Sequence, residues 1–149
     1  LMDRLFLVWA DQGLSGLVPP TARQAILDEA VSLQEPDGGF SLSRFIGNWK
    51  RRDKTPLETA SDGYATAIVS LVLREDSPEH RESLRRALAW LAAHQDPGEG
   101  RWPAWSVNKK RELNSDAGRF MSDAATAFAV MALSPEAPVI KSAKNASGN

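Results

Sequence analysis

Two basic triplets stand 59 residues apart, Lys50-Arg51-Arg52 and Lys109-Lys110-Arg111. Each lies in a loop just upstream of an apolar helical run. If the two runs point their N-termini the same way, helix dipoles add positive potential beside Arg51, Arg52, Lys109 and Lys110. Such a rim suits an anion such as a diphosphate or a carboxylate. Solvated loop charge is the plain alternative, since Asp53 and Glu112 partly neutralise the triplets. The same loops carry Trp49, Trp102, Trp105 and Phe120. Their ring faces suit an apolar ligand or a carbocation, although packing of the loops themselves explains aromatics equally well.

Other chemistries are poorly supplied. Cysteine is absent, which excludes disulfides, thiolate zinc sites and a cysteine nucleophile. His80 and His94 fall fourteen residues apart on a charged helix, not at ligand spacing, and read as solvated. No glycine-rich phosphate loop, Ser-His-Asp order or spaced carboxylate cluster is visible, so neither metal nor cofactor is expected. The formal net charge of −1 and pI near 6.2 give no field directed at nucleic acid. The apolar run Leu5 to Ala10 is too short for a membrane span or a signal core, which leaves the compartment open with the cytoplasm favoured.

The loops that hold these residues repeat. Gln34-Glu35-Pro36-Asp37-Gly38-Gly39-Phe40 is followed by Gln95-Asp96-Pro97-Gly98-Glu99-Gly100-Arg101-Trp102, with the two glutamines 61 residues apart. Ala65-Thr66-Ala67 and Ala125-Thr126-Ala127 follow at a spacing of 60. A period this long marks a supersecondary unit that buries its apolar face by stacking on copies of itself. Gly38, Gly39 and Gly100 allow positive φ and a sharp turn. Gln34 and Gln95 sit at helix ends, where an amide can serve unpaired backbone groups, while Phe40 and Trp102 cover the turn. On this reading the motif clamps one hairpin to the next.

The pattern predicts an all-α chain of five helices. Leu5 to Ala10, Asp62 to Leu73 and Ala124 to Leu133 are apolar on nearly all sides. Between them come two amphipathic helices. One starts from a Thr21/Gln24 capping box and runs to about Leu33, with Ala22, Ile26, Ala30 and Leu33 on its inner face. The other opens at Ser77-Pro78-Glu79 and turns Leu84, Ala87, Leu88 and Leu91 inward. Buried helices alternating with half-exposed ones indicate two layers; an ordinary helical bundle is the alternative. The stretch 134–149 reads as a loose tail after a repeat region at 1–133, and its Asn145-Ala146-Ser147 sequon as a chance match.

Glutamine, then Asp-Gly-Gly, then an aromatic residue resembles the QW repeat of the squalene-hopene cyclase and oxidosqualene cyclase family. Related repeats occur in protein prenyltransferase β subunits. Ser61-Asp62-Gly63-Tyr64-Ala65-Thr66-Ala67 and Ser122-Asp123-Ala124-Ala125-Thr126-Ala127 resemble its inner-helix starts. The resemblance spans about Leu5 to Leu133 and implies a segment of a two-layer α/α toroid. Family toroids close with five or six hairpins, and this chain supplies about two and a half. Beginning at Leu1 inside a helix, it reads as part of a longer polypeptide. The rest of that polypeptide, or a second copy, would complete the ring.

The resemblance also sets a test of activity. Family cyclases protonate an alkene or epoxide with the central acid of an Asp-x-Asp-Asp-Thr-Ala motif, a group that must stay both protonated and strongly acidic. Here Asp62 matches the first aspartate, and Tyr64 replaces the central acid. Asp62 is thus the candidate catalytic residue of an incomplete motif. Tyr64, Trp49, Trp105 and Phe120 are candidates to line an isoprenoid cavity. The expected function is binding of an extended apolar or isoprenoid ligand without complete cyclase chemistry. A non-catalytic repeat module for protein interaction is the first alternative. A carbohydrate-active toroid using Asp62 or Asp123 as one of a carboxylate pair is the second.

Overall fold

The computed structural model describes residues 1–14, 16–74 and 78–134. Within them the chain is all-α: α1 Met2–Gly13, α2 Pro20–Ser32, α3 Leu42–Phe45, α4 Gly63–Leu73, α5 Arg81–Ala93 and α6 Asp116–Leu133. A single 3-10 turn, Pro78–His80, leads into α5. The expected Ser77 cap and the 145–147 sequon lie outside the described residues.

Helix α4 is the centre. Its sequence, Gly63 to Leu73, contains no charged residue, and every residue except Tyr64 is buried. Such a helix is stable only with protein on all sides. On one side Ile68, Val69 and Val72 join Leu5 and Val8 of α1 and Ile26, Leu27 and Ala30 of α2. On the other, Ala67 and Leu71 join Leu91 of α5 and Ala125, Ala129 and Ala132 of α6. The alanines keep the α4–α6 contact close.

Helices α1, α4 and α6 run parallel in one row. Gln12, at the end of α1, donates its amide to the Val72 carbonyl at the end of α4 (2.9 Å). Arg74, following α4, donates to the Met131 carbonyl near the end of α6 (3.1 Å) and also to Ser134. Helix α2 is tied to the turn that leads into α5: Gln24 bonds Glu79 (3.2 Å), and His80 pairs with Asp28 (2.9 Å).

Several expectations change. Helix α1 is buried only at Met2, Leu5 and Val8, with Leu7 45% exposed. Helix α6 begins two turns before Ala124 and is one-sided, with Phe120 and Val130 at 74% and 52% exposure. The reason is position in the row: only α4 has neighbours on both sides among the described residues. Helix α2 lacks the Thr21 cap; Pro19 is its N-cap and Pro20 its first residue, a position where a missing N–H costs nothing. Gln24 instead bonds Asp28 and Glu79, and Ala22 is exposed, so the inner face rests on Ile26, Leu27 and Ala30. His80, expected in solvent, is buried against Asp28; His94 is exposed and stacks on Trp90, centroids 4.1 Å apart.

The early start of α6 has a local cause. Ser115 caps it by accepting the Gly118 N–H (3.2 Å). A Cβ at Gly118 would lie 2.2 Å from the Glu112 carbonyl oxygen, so this turn admits only glycine. One period earlier stands Glu58, and there the chain forms no helix until Gly63.

The burial contrast sets a stability test. Ile68→Ala should cost about 2–4 kcal/mol, whereas Val130→Ala should change stability by about 0.5 kcal/mol or less. Parallel denaturant titrations of the two variants measure both.

Candidate functional site

The two repeat loops bond to the helix that follows them in the same pattern, but of their glutamines only Gln34 also reaches another helix. Gln34 donates its amide to the Gly38 carbonyl (2.8 Å) and to the Ser83 carbonyl of α5 (2.9 Å). Gln95 donates to the Gly100 carbonyl (2.7 Å). Beyond each loop, the Phe40 N–H donates to the Thr66 hydroxyl (2.9 Å) and the Trp102 N–H to the Thr126 hydroxyl (3.1 Å). Two residues further on, Leu42 N–H reaches the Asp62 carboxylate (2.6 Å), and Ala104 N–H reaches the Ser122 hydroxyl (3.4 Å). Two polar side chains four residues apart, Asp62 and Thr66 at α4 and Ser122 and Thr126 on α6, thus hold the segment beyond each loop against the helix.

The glycines divide their work. Gly38 and Gly100 have φ of 95° and 68°, as a sharp turn requires. Gly39, expected to share that role, does not have positive φ. It is glycine because a Cβ would strike Ser61 at 2.6 Å and Trp90 at 2.9 Å. The plates are both buried: Phe40 packs edge-on against Phe45 (5.9 Å), and Trp102 donates its indole N–H to the Leu91 carbonyl (2.9 Å). Gly63 gives Trp102 room at the start of α4.

Asp37 ties this junction together, a role that its place in the motif does not reveal. Its carboxylate accepts from the Gly39 N–H, the Ser61 hydroxyl and the Trp90 indole. Partial burial opposes ionisation, but these donors outweigh it and hold Asp37 below the usual carboxylate range. An Asp-Gly pair in a turn was the available signal.

Asp62 is the N-cap of α4. One carboxylate oxygen accepts the Ala65 N–H (2.8 Å) and the other accepts the Leu42 N–H. Burial pushes its pKa up to about 6 despite these amides, with Glu58 adding to the rise. The group is therefore easily protonated, yet both oxygens are occupied by backbone. Tyr64 is half-buried, and its hydroxyl is held above its ordinary pKa by burial and by Asp62. Asp123 is exposed on α6, so it and Asp62 do not face a common cavity. No group of three or more His, Asp or Glu residues able to hold a metal occurs among the described residues.

An aromatic layer crosses α1, α4 and α6. The Tyr64 and Phe128 rings meet edge-on at 5.5 Å, Trp9 meets Phe128 at 5.9 Å, and Phe6 meets both Trp9 and Phe128 at 6.4 Å. All four are only partly buried. Tyr64 was among the expected lining residues; Phe6, Trp9 and Phe128 were not. Their signal lay in large aromatics at helical spacing within runs read only as core.

The other expected residues scatter. Phe120 points from the open side of α6 to solvent and takes no part in this layer. Trp105 is half-buried in the second loop, and Trp49 is 55% exposed in the first. The basic triplets do approach one another: the Arg52 N–H donates to the Asn108 carbonyl (2.9 Å), and the Lys110 N–H donates to the Asp53 carboxylate (2.8 Å). Arg51, however, is buried and spent on Glu58, Pro56 and the Ser106 carbonyl. Arg52, Lys109 and Lys110 are exposed. No family model, curated protein or solved structure matches the chain.

Two outcomes follow from these bonds. Gln34→Ala loses two partly buried hydrogen bonds and should cost about 1–2 kcal/mol, more than Gln95→Ala at about 1 kcal/mol or less. The raised pKa of Asp62 means that the folded state holds its proton more tightly than the unfolded state. Its contribution to stability is full below about pH 4 and is lost as pH rises through about 6. The stability of wild type relative to Asp62→Asn should therefore fall by up to about 3 kcal/mol between pH 4 and 7. A difference independent of pH would show that Asp62 ionises normally.

Proposed function

We propose that this chain is a segment of a squalene-hopene cyclase-like α/α toroid whose inner row binds an extended apolar or isoprenoid ligand, without supplying the acid for cyclisation. The observation that carries the reading is the layer of Phe6, Trp9, Tyr64 and Phe128, drawn from three parallel helices and left partly open. Ring faces so placed offer an elongated hydrocarbon broad contact and favour developing positive charge. The repeated bonding of loop to inner helix supports the same architecture.

The chemistry stops short of a cyclase. A proton donor must reach the substrate, and the Asp62 oxygens are turned to the Leu42 and Ala65 amides. The phenol of Tyr64, the residue at the open aromatic face, is too weak an acid to protonate an alkene.

The row also has a place for its continuation. Ala67 of α4 packs in the cluster it shares with α6, while its counterpart one period later, Ala127, is exposed beside Phe120 and Val130. A further parallel helix, from the same longer polypeptide or from a second copy, would bury that stripe as α6 buries α4. The same stripe is the observation that favours the second reading, a repeat module that docks another protein.

Incubating the whole protein with squalene, followed by product analysis, tests the chemistry, and displacement of a fluorescent hydrophobic probe by squalene tests the cavity. Probe binding without turnover, weakened by Phe128→Ser, is the expected result. Turnover abolished by Asp62→Asn would make Asp62 the acid. Absence of both turnover and probe binding in the whole protein would favour the docking module.

A further inference from the structure

Residues 47–59 connect α3 to α4 without helix, yet they are firmly held. The Trp49 indole donates to the Val107 carbonyl (2.8 Å), Arg51 donates to Ser106 and pairs with Glu58, and Arg52 bonds Asn108. The loop folds around a cleft of about 700 Å³ walled by Trp49, Lys50, Arg51, Lys54, Pro56 and Leu57. This cleft is separate from the aromatic layer across α1, α4 and α6, none of whose four residues lines it.

The charges in the cleft do not cancel. Arg51 is neutralised by Glu58, and the Asp53 carboxylate, which does not line the cleft, is turned to the Thr55 hydroxyl and the Thr55 and Lys110 amides. Among the described residues, the Lys50 and Lys54 side chains make no ion pair or hydrogen bond. Lys54 also has φ of 62°, the one positive value at a non-glycine position among the described residues. Holding a lysine there costs about 1 kcal/mol, a strain that asparagine or glycine would largely avoid. The turn bond from the Lys54 N–H to the Arg51 carbonyl (3.0 Å) does not need a lysine side chain.

Trp49 supplies the second half of the chemistry. Its ring is 55% exposed but anchored through its indole N–H, so it presents a fixed plate rather than a mobile one. Pro56 and Leu57 add an apolar wall. We infer that this cleft binds a small organic anion, its carboxylate or phosphate held by Lys50 and Lys54 and its planar apolar body stacked on Trp49. Two ammonium groups supply charge-assisted bonds, and a concave, largely apolar wall excludes water from the rest of the ligand.

The test is a titration of the full chain at low salt, read from the Trp49 indole signal in the proton–nitrogen NMR spectrum. The probes are phenyl phosphate, benzoate, inorganic phosphate and benzyl alcohol. Phenyl phosphate, benzoate or both should shift the signal saturably, and the tighter of the two identifies the preferred headgroup. Inorganic phosphate should bind about tenfold more weakly than the better aryl anion, and benzyl alcohol should not saturate. The double variant Lys50→Gln, Lys54→Asn should lose at least about tenfold in affinity while unfolding at the same temperature or higher, because asparagine accepts the left-handed backbone. No saturable shift with either aryl anion at millimolar concentration would overturn the inference. So would an unchanged affinity in the double variant, or equal affinity for inorganic phosphate and phenyl phosphate.

Discussion

Helix α4 has no face that tolerates water, and the rest of the chain is arranged to meet that demand. Ten of its residues are buried and none is charged. Leaving one Val or Leu side chain of such a helix exposed forfeits about 1.5–3 kcal/mol. Helices α1 and α2 cover one side, and α5 and α6 cover the other. The polar residues α4 does contain, Thr66 and Ser70, turn their hydroxyls to backbone carbonyls, so burial leaves nothing unpaired there. The placement of the other helices is the consequence: a helix needing neighbours on every side draws helices to both of its flanks.

The loops follow from the same constraint. A helix buried along its length must also begin in protein, where its first N–H groups need partners other than water. Asp62 answers at α4 with a carboxylate that caps the helix and holds the Leu42 amide at once. Its cost is a charge in a dry place, eased by a pKa lifted to about 6. In the second copy α6 starts earlier, and Ser122 lies inside the helix rather than at its cap. Its hydroxyl bonds the Gly118 carbonyl and meets the Ala104 amide only at 3.4 Å. A neutral hydroxyl suffices where no helix end has to be capped. The acid at 62 is thus accounted for by local structure before any reaction is invoked.

Among the surfaces that remain after those demands are met, two differ sharply in chemistry. The aromatic layer across α1, α4 and α6 is apolar and continuous between helices. The cleft beside Trp49 is small, cationic and walled by a loop under backbone strain. Their chemistries differ enough that occupancy of one need not report on the other. The basic triplets show how loop folding sorts charge: Arg51 disappears into a structural ion pair, while Lys50 next to it lies on a cleft wall with no partner among the described residues.

The sequence by itself determined that the chain is helical, that its loops repeat with a period near 60, and that α4 would be buried. Periodicity, the Asp-Gly-Gly turn and the absence of charge from 63 to 73 are local properties, so they survive without knowledge of neighbours. Only tertiary structure decided that α1 and α6 would be one-sided, because their apolar runs look like that of α4 and differ only in having a neighbour on one flank. Gly39 looked like a turn residue, and only the approach of Ser61 and Trp90 shows why a Cβ cannot stand there; Gly118 gave no signal, and only the Glu112 carbonyl beside it explains it. His80 read as solvated because its partner, Asp28, lies 52 residues away on another helix. Phe6, Trp9, Tyr64 and Phe128 join a single layer for the same reason: the separation that matters is across helices, and sequence spacing measures it only along them.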